Sequence, residues 1–561
     1  MYQYTLPSGD SFLWKLAFLA LIIFSLWFIT DLSTDSQVEV SSKGGTLREG
    51  IVGTPRFVNP ALAVTRADKD LSALIYDGLM KPGSEGVLIP NIAESVTISD
   101  DGLTYNVVLR QDIHFHDGTQ LTANDVVFTV GRFQDPALTS PLRANFEDVV
   151  IEQLGDHEVN FILAESYAPF VENLTFGILP QHIWKGATSE ELPFSQYNSE
   201  PIGSGPYQVS KIMRDNSGIP ETYILEPYLG YHSEPAKISR LELHFFTNTE
   251  KMITAFNETN IDSIAGLNVE YLDDLEILED VHTIHTIPLP RTFSLFFNQN
   301  KSPALRDIYA RRALDAAIDR EALIDTVLGG YGQPLYSPIP PGFGITNDVA
   351  STSENLLQDA RDILETGGWE QNEETGSWEK EIDEETVTLA FSISTVNNKV
   401  FEETAEFLRT KWEELGVVVS IKQFEQSDLT QAVIRPRDYE SLLFGTVLGR
   451  SLDLYSFWHS SQRNDPGLNV ALYANITTDS ILGEARTNPD NTEHEAALLR
   501  FAREIEGDKP AIFLYSPELL YIFPNAVTGA SFTGLSEPHE RFSSITDWFI
   551  NSETVWPIFK E

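Results

Sequence analysis

The segment that most constrains the fold of this chain runs from Val96 to Phe133 and reads VTISDDGLTYNVVLRQDIHFHDGTQLTANDVVFTVGRF. Apolar side chains recur at every second position of Leu103–Leu109, which predicts a β-strand with one buried face. An Asp-Gly pair before this strand and another after it predict tight turns. Thr122 then occupies the position of a helix N-cap, ahead of an apolar run. The segment therefore predicts a strand, a turn and a helix in succession.

Three segments of the chain resemble the signature sequences of one protein family. In the first, DDGLTYNVVLRQDIHFHDGTQLTANDVVFTV follows the family pattern at most positions. The other two are PIGSGPYQV (Pro201–Val209) and RRALDAAIDREALIDTVLGGYGQPLYSPIPPG (Arg311–Gly342). The chain resembles the extracytoplasmic solute-binding proteins of family 5, the peptide and nickel receptors of ABC importers. The resemblance covers nearly everything from Gly44 to the C-terminus.

The resemblance implies an α/β fold of the two-lobed periplasmic-binding-protein type (type II, cluster C). It also implies an extra subdomain in the first lobe, and one apolar N-terminal helix precedes the fold. We therefore expect residues 1–11 as a cytoplasmic N-terminus, 12–29 as a transmembrane signal anchor, 30–43 as a tether, 44–294 as lobe I with the extra subdomain at about 60–195, 295–515 as lobe II, and 516–561 as the return to lobe I.

The apolar segment Phe12–Ile29 is interrupted only by Lys15 and Ser25. At a rise of about 1.5 Å per residue, a helix of this length reaches ~27 Å and crosses the hydrocarbon core of a bilayer. A basic residue precedes its centre and acidic residues follow it, which places the N-terminus in the cytoplasm and the large domain outside the cell membrane. No A-x-A cleavage site follows the segment, so we expect an uncleaved single-pass anchor; a cleaved signal peptide is the alternative.

Acidic residues dominate the charge of the chain, with 83 Asp and Glu against 38 Lys and Arg and a formal net charge of −45. A field of this sign repels phosphate backbones, so we expect no nucleic-acid partner. The chain has no cysteine. This excludes disulfides, thiolate catalysis and zinc–sulfur sites.

The second half of the chain shows the periodicities of an α/β lobe. An apolar helical pattern over about 306–328, followed by two glycines that supply a C-cap, predicts one helix. A strand at 389–393, a helix at 398–415 and a strand at 417–421 predict a parallel pair with a right-handed crossover. The apolar run at 511–521 resembles the family strand that returns to the first lobe.

Motifs for catalysis are largely missing from the sequence, which has neither a P-loop nor a Gly-rich dinucleotide motif. His114 and His116 are two residues apart on a predicted strand, where they share a face and favour a metal site if further ligands arrive from elsewhere. The competing interpretation is that His116 and Asp117 repeat the FHDG turn of the family that the chain resembles. We expect the turn, with no resident metal or cofactor. A membrane-anchored metal-dependent hydrolase is the alternative.

The segment Gly445–Gln462 reads GTVLGRSLDLYSFWHSSQ and is the candidate for ligand binding. The resemblance implies that it lines the cleft, where an aspartate of peptide-binding relatives pairs with the terminal ammonium of the ligand. That position falls on Leu448 or Arg450 here, and neither is acidic. Arg450 offers a bidentate contact to a carboxylate instead. The predicted ligand-binding residues are Arg450, Asp453, Tyr455 and Trp458, although the aromatic residues are equally compatible with an ordinary core.

The function implied by the resemblance is that of the substrate-binding component of an ABC importer. A short peptide is the expected ligand, bound between two lobes that close by hinge motion and deliver it to a membrane permease with its ATPase. We expect a monomer that performs no reaction on its ligand. A nickel complex, a sugar or an anionic metabolite are alternative ligands, and a sensory ectodomain is an alternative role.

Overall fold

The computed structural model describes residues 14–24, 38–83, 86–341, 355–488 and 491–555. Strands and helices each make up a large part of the described chain. The strands are β1 Val38–Ser42, β2 Thr46–Val52, β3 Met80–Pro82, β4 Leu88–Pro90, β5 Ala93–Ile98, β6 Thr104–Leu109, β7 Val150–Gly155, β8 Glu158–Ile162, β9 Tyr207–Arg214, β10 Pro220–Pro227, β11 Arg240–Phe246, β12 Ser263–Ala265, β13 His282–Pro288, β14 Arg291–Phe297, β15 Gly332–Pro334, β16 Glu370–Gln371, β17 Trp378–Ile382, β18 Glu385–Thr388, β19 Ala390–Val396, β20 Val418–Phe424, β21 Ser441–Val447, β22 Ala511–Pro524 and β23 Asn551–Val555.

Helices cover both faces of the sheets. They are α1 at residues 14–24, α2 Arg66–Ile75, α3 Ala123–Gln134, α4 Arg143–Phe146, α5 Gln181–Trp184, α6 Thr249–Asn257, α7 Pro303–Arg306, α8 Ile308–Ala316, α9 Arg320–Leu328, α10 Leu356–Thr366, α11 Lys399–Leu415, α12 Gln426–Asp428, α13 Tyr455–Trp458, α14 Ile476–Thr487 and α15 Asn491–Asp508. A 3-10 helix at Ala168–Thr175 contributes to the cavity described below.

One large sheet runs through the molecule, in the order β20-β19-β21-β14-β22-β12-β2-β11-β10-β9. Strand β22 is shared by its two halves. The first part of β22 pairs with β14, and the last part pairs antiparallel with β13, from Glu518 to Pro524. The sheet is therefore continuous, and two chain passages cross between its halves, one between β13 and β14 and one within β22.

Hydrophobic cores divide the molecule into two lobes. Lobe I has its core in residues between Leu47 and Leu289 and between Leu519 and Trp548. Lobe II has two clusters, one on each face of its sheet, drawn from residues between 293 and 515. The chain thus leaves lobe I after β13 and returns to it through β22.

A four-stranded antiparallel sheet, β5-β6-β8-β7, lies beside the large sheet in lobe I. The predicted strand is confirmed as β6, where Tyr105, Val107 and Leu109 are buried and alternate with less buried neighbours. The predicted N-cap is confirmed as well. The Thr122 backbone N–H donates to Asp125 Oδ2 at 2.9 Å as part of a capping box at the start of α3. The interior of this sheet belongs to the same core as the rest of lobe I.

In lobe II one prediction was wrong and one is confirmed. The expected single helix over 306–328 is three helices, α7, α8 and α9. The last break occurs because the Asp319 carboxylate accepts from the Ala322 N–H and caps α9, which favours a new helix start over continuation. Gly329 ends α9 in the left-handed region, with a φ of 56°. The strand–helix–strand unit β19-α11-β20 forms the predicted parallel pair.

A fully buried ion network anchors the C-terminal segment in lobe I. The guanidinium of Arg541 donates to both carboxylate oxygens of Asp70, at 2.7 and 2.6 Å, and to Glu49 Oε1 at 2.6 Å. The hydroxyl of Tyr521 donates to the other Glu49 oxygen at 2.7 Å. Because all three charged side chains are fully buried, each depends on the others for its solvation. The network joins β2, α2 and β22 to the segment that follows β22.

The structure describes only part of the predicted membrane anchor. Of Phe12–Ile29, the structure describes 14–24 as helix α1, and the remainder lies outside the described residues, as do the expected cytoplasmic residues 1–11. Within the described part of the chain, no helix is both long and apolar enough to cross a membrane. Strand β1 covers residues 38–42 of the expected tether and pairs antiparallel with β23 near the end of the described chain.

Candidate functional site

A cavity of ≈ 510 Å³ lies where the lobes meet. Lobe I supplies α2 and the residues after it, β3, the 3-10 helix at Ala168–Thr175 and the segment 536–546. Lobe II supplies the loop Val447–Arg450, directly after β21. A cavity of this size is in the range that binds small ligands. Its position means that a ligand inside it touches both lobes.

Charged side chains of both signs line this cavity, and most are paired. Lys69 Nζ lies 2.6 Å from Glu537 Oε2. The carboxylate of Asp77 lies 3.1 Å from His232 Nε2. For Lys81, which also lines the cavity, no carboxylate lies within ion-pair distance among the described residues. The wall therefore combines fixed ion pairs with groups that still have capacity for a ligand.

Arg450 is a lobe II side chain that contacts lobe I directly. Its Nη1 donates to the carbonyl oxygens of Gly86, at 2.7 Å, and Gly534, at 2.5 Å. Its Nη2 donates to Ser536 Oγ at 3.1 Å and to Glu540 Oε2 at 2.6 Å. The Arg450 and Glu540 side chains are each 12% exposed. Both terminal nitrogens of the guanidinium thus bind lobe I and fasten the two lobes together.

Glu172 faces Arg450's loop from the opposite lobe. A Cβ placed on Gly449 would lie 2.9 Å from Glu172 Oε2, so the carboxylate packs against the backbone of lobe II. Burial raises the pKa of Glu172, against the opposing effects of the Ser451 hydroxyl and the Arg450 charge. Its Oε1 is buried and has no hydrogen-bond partner among the described residues.

The end of α2 is held at the cavity by the loop that contains the PIGSGP sequence. The Gly205 N–H donates to the Ile75 carbonyl at 2.8 Å. A Cβ on Gly203 would lie 2.0 Å from that same oxygen, so the close approach requires glycine. This contact fixes Tyr76 and Asp77, which line the cavity. The motif therefore serves packing.

His114 and His116 do not come together as metal ligands. His116 Nε2 lies 3.0 Å from the Gly205 carbonyl, whereas His114 Nδ1 lies 3.0 Å from the Asp112 carbonyl. Burial lowers the pKa of His116, which keeps its ring neutral. Among the described residues there is no group of three side chains suited to hold a metal ion. The FHDG turn thus contacts the loop that contains Gly203 and Gly205, in agreement with the turn interpretation.

The four residues predicted from the segment Gly445–Gln462 are separated by the structure. Arg450 lines the cavity, but the other three lie outside its described lining. Asp453 lies 3.5 Å from the Arg486 guanidinium, and that guanidinium also covers the Tyr455 ring at 4.4 Å. Trp458 is 3% exposed and packs in a lobe II core.

Several cavity residues escaped prediction from the sequence. Glu172 lies more than 360 residues before Glu537 and Glu540 along the chain, and no local motif marks any of them. From the sequence, only Gly449 indicates that another group lies close to this loop, because glycine in a cleft loop permits such close approach. The glycine does not reveal which group approaches.

Comparison with known proteins identifies the fold and the class. The model of the bacterial extracellular solute-binding proteins, family 5 (middle region), matches residues 87–467, more than half of the chain. The chain belongs to this family. The prediction of an extracytoplasmic binding protein that is not an enzyme is thereby confirmed.

Individual relatives share the whole architecture. The oligopeptide-binding protein AppA of Bacillus subtilis is 26% identical over 529 residues, which cover 91% of this chain and 92% of AppA. Its structure in complex with a nonapeptide covers 91% of this chain and 100% of that chain, with a TM-score of 0.67. The ABC transporter substrate-binding protein CtaP of Listeria monocytogenes covers 91% and 99%, at 25% identity and a TM-score of 0.74. These likenesses confirm the two-lobed α/β fold of this solute-binding protein.

Proposed function

We propose that this solute-binding protein binds short peptides in the cavity between its lobes and delivers them to the permease of an ABC importer. The observation that carries the proposal is a ≈ 510 Å³ cavity whose charged wall is built by both lobes. A ligand there contacts both lobes, so its higher affinity for the closed form drives closure. The relative AppA, solved with a nonapeptide, supports a peptide as the ligand.

Roles for the predicted residues follow from their placement. Arg450 remains in the proposed ligand-binding set because it lines the cavity. Asp453, Tyr455 and Trp458 remain predictions as ligand contacts, and we propose that they hold the loop that carries Arg450. The lobe boundaries at residues 294 and 515, and the monomeric state, are retained as part of the same proposal.

The test is calorimetry and native mass spectrometry of the full-length protein in detergent, titrated with mixtures of peptides of two to five residues. We expect saturable peptide binding and co-purified peptides that exchange with the added mixture. Relatives include a heme-binding protein A of Haemophilus influenzae, 25% identical over 508 residues. Binding of heme or of a nickel–histidine complex, without any binding of peptides, would contradict the proposal.

We also propose that the solute-binding domain is held at the cell membrane by residues 12–29, with residues 30–43 as the tether. Support comes from α1, whose residues are all exposed, among them Trp14 at 75% and Phe18 at 66%. Apolar side chains exposed around a whole helix are expected in lipid rather than in water.

Deletion of residues 1–37 should transfer the protein from the membrane fraction to the soluble fraction, because it removes the proposed anchor and keeps β1. The measurement is immunoblotting of fractions after alkaline carbonate extraction. The full chain serves as the control and should resist the extraction. Full-length protein that appears in the soluble fraction, or that has lost its N-terminal residues by mass spectrometry, would contradict an uncleaved anchor.

A further inference from the structure

His494 is a half-buried histidine of α15 whose two ring nitrogens both lie against backbone carbonyls. Its Nε2 lies 2.9 Å from the carbonyl oxygen of Ser451, and its Nδ1 lies 2.9 Å from that of Ala485. A carbonyl oxygen only accepts hydrogen bonds, and a neutral imidazole has one N–H to donate. Both contacts are therefore hydrogen bonds only when the ring carries two protons and a positive charge.

The first carbonyl belongs to the loop that carries Arg450. Ser451 directly follows Arg450, whose guanidinium binds lobe I. The next residue, Leu452, has a φ of 53°, in the left-handed region that residues with a side chain disfavour. Backbone in this region depends on the contacts around it. The hydrogen bond from His494 to Ser451 therefore helps to fix the direction in which Arg450 leaves lobe II.

The second carbonyl belongs to the end of α14. Ala485 directly precedes Arg486, whose guanidinium lies 4.4 Å from the ring centre of Tyr455 in lobe II and 4.9 Å from that of Tyr167 in lobe I. A charged His494 thus connects two segments of lobe II, and each of them carries an arginine that contacts lobe I. The neutral ring donates to only one of these segments at a time.

Charged residues of both signs occur in every segment around His494. They are Arg450 and Asp453 on the loop, Glu484 and Arg486 on α14, Glu493 and Glu495 on α15, and Glu172 of lobe I, which meets the Ser451 hydroxyl. Arg450 is paired with Glu540, and Arg486 is paired with Asp453. Because acids outnumber bases in this set and both arginines are paired, the local charge does not oppose a positive ring.

We propose that His494 is a positioning residue for the closed form of the protein. Its protonated ring holds the Arg450 loop and α14 in the arrangement in which both arginines contact lobe I. This contribution is complete at acidic pH and is lost as pH rises and the ring gives up its second proton, within the range of about pH 5–8 in which histidine changes its charge. The inference rests on the proposed closure of the lobes around a ligand, but it concerns the closed form itself.

The test measures the distance between the lobes by single-molecule fluorescence energy transfer, on the full-length protein in detergent and without ligand. The chain has no cysteine, so Glu152→Cys on lobe I and Glu374→Cys on lobe II, both at exposed positions, accept the two dyes. We expect the ratio of open to closed molecules to rise about 3–10-fold from about pH 5.5 to about pH 8, because the closed form loses one hydrogen bond.

Two substitutions separate the charge of His494 from its shape. His494→Gln keeps a donor near the place of Nε2 and has no charge at either pH. We expect its ratio to resemble that of the wild type at the higher pH and not to change with pH. His494→Asn keeps a donor only near Ala485, so it should favour the open form at both pH values.

His114→Gln is the matched control, since His114 is an exposed histidine of lobe I whose Nδ1 lies 3.0 Å from the Asp112 carbonyl. This variant should keep the change with pH. A wild-type ratio that is the same at both pH values, or a change that persists in His494→Gln, would overturn the role of His494.

Arg450→Ala provides a second measurement if both His494 variants misfold. Without the Arg450 contacts, the change of the ratio with pH should shrink, and an undiminished change would show that His494 does not act through Arg450. No peptide is present in these measurements. A failure to bind peptides would therefore count against the proposed function and not against the role of His494.

Discussion

Arg541→Met should lower the free energy of unfolding by about 3–5 kcal/mol, the usual cost of removing one partner from a buried ion network. The substitution removes the guanidinium that contacts both Glu49 and Asp70, and leaves Asp70 with Arg66 at 3.5 Å as its cationic partner. Methionine fills much of the volume of arginine, so the loss of stability reflects the missing charge and not a cavity. Urea denaturation followed by tryptophan fluorescence measures the change. Because the network joins the return segment to β2 and α2, we expect lobe I to unfold first.

The pH dependence of this loss gives a second, independent readout. Burial alone would raise the pKa of Asp70, but Arg541 holds that pKa below its ordinary value. In the wild type the resulting stability is present at neutral pH and is lost as pH falls below ~4, where the carboxylate takes up its proton. Without Arg541 the lowering effect of its charge is lost, so burial raises the pKa of Asp70 and protonation relieves the penalty at a higher pH. The difference between variant and wild type should therefore shrink from pH 7 to pH 5.

Arg240→Met is the control for this experiment. Arg240 pairs with Glu242 on the same lobe, but its side chain is 45% exposed. Exposed pairs contribute about 0–1 kcal/mol, so a small loss is expected. An Arg541→Met loss as small as that of the control, or one that does not change with pH, would show that the buried network does not stabilise lobe I.

Arg450→Ala should open the molecule in the absence of ligand. The substitution removes the hydrogen bonds from Arg450 to Gly86, Gly534, Ser536 and Glu540, all of them contacts of lobe II with lobe I. A hydrogen bond to a charged group is worth about 1.5–3 kcal/mol, so the balance between closed and open forms should shift at least about tenfold towards the open form. The radius of gyration from small-angle scattering of the ligand-free protein should increase.

Ligand affinity should fall as a consequence. A ligand that needs the closed form binds more weakly in proportion to the loss of that form, which here means about tenfold or more. Arg503→Ala, an exposed arginine on α15 of the same lobe, should change neither scattering nor affinity. If affinity falls but the ligand-free scattering profile is unchanged, Arg450 contacts the ligand directly and does not hold the lobes together.

Local chemistry explains how much of the fold the sequence could predict. The alternation in β6, the capping Thr122 and the glycine that ends α9 are properties of a few neighbouring residues, and all three appear as expected. The single helix over 306–328 was wrong because its apolar pattern continues across Asp319, where a side-chain cap competes with helix continuation. Hydrophobic periodicity identifies the buried face of a helix, but it does not show where a side-chain cap ends one helix and starts another.

The site was harder to predict because its wall is assembled across the whole chain. Arg450 was found through a resemblance, but its partner Glu540 is 90 residues away and carries no motif. The aromatic residues Tyr455 and Trp458 have the composition of a stacking surface, yet a core uses the same side chains. Which use applies depends on long-range packing: Trp458 contacts Phe296, Phe501 and Phe513 from three other elements.

The shared strand β22 connects the two lobes and so affects how they move relative to each other. Its pairing with β14 ends at Tyr515 and its pairing with β13 begins at Glu518, and Pro517 between them lacks an N–H to bind either neighbour. The second passage contains Pro290 at the corresponding place. Proline fixes φ at both places, which reduces the number of backbone torsions that can change there when the lobes move. Strand β1, at the end of the proposed tether, pairs with β23. We therefore expect lobe I to remain close to the membrane while lobe II moves.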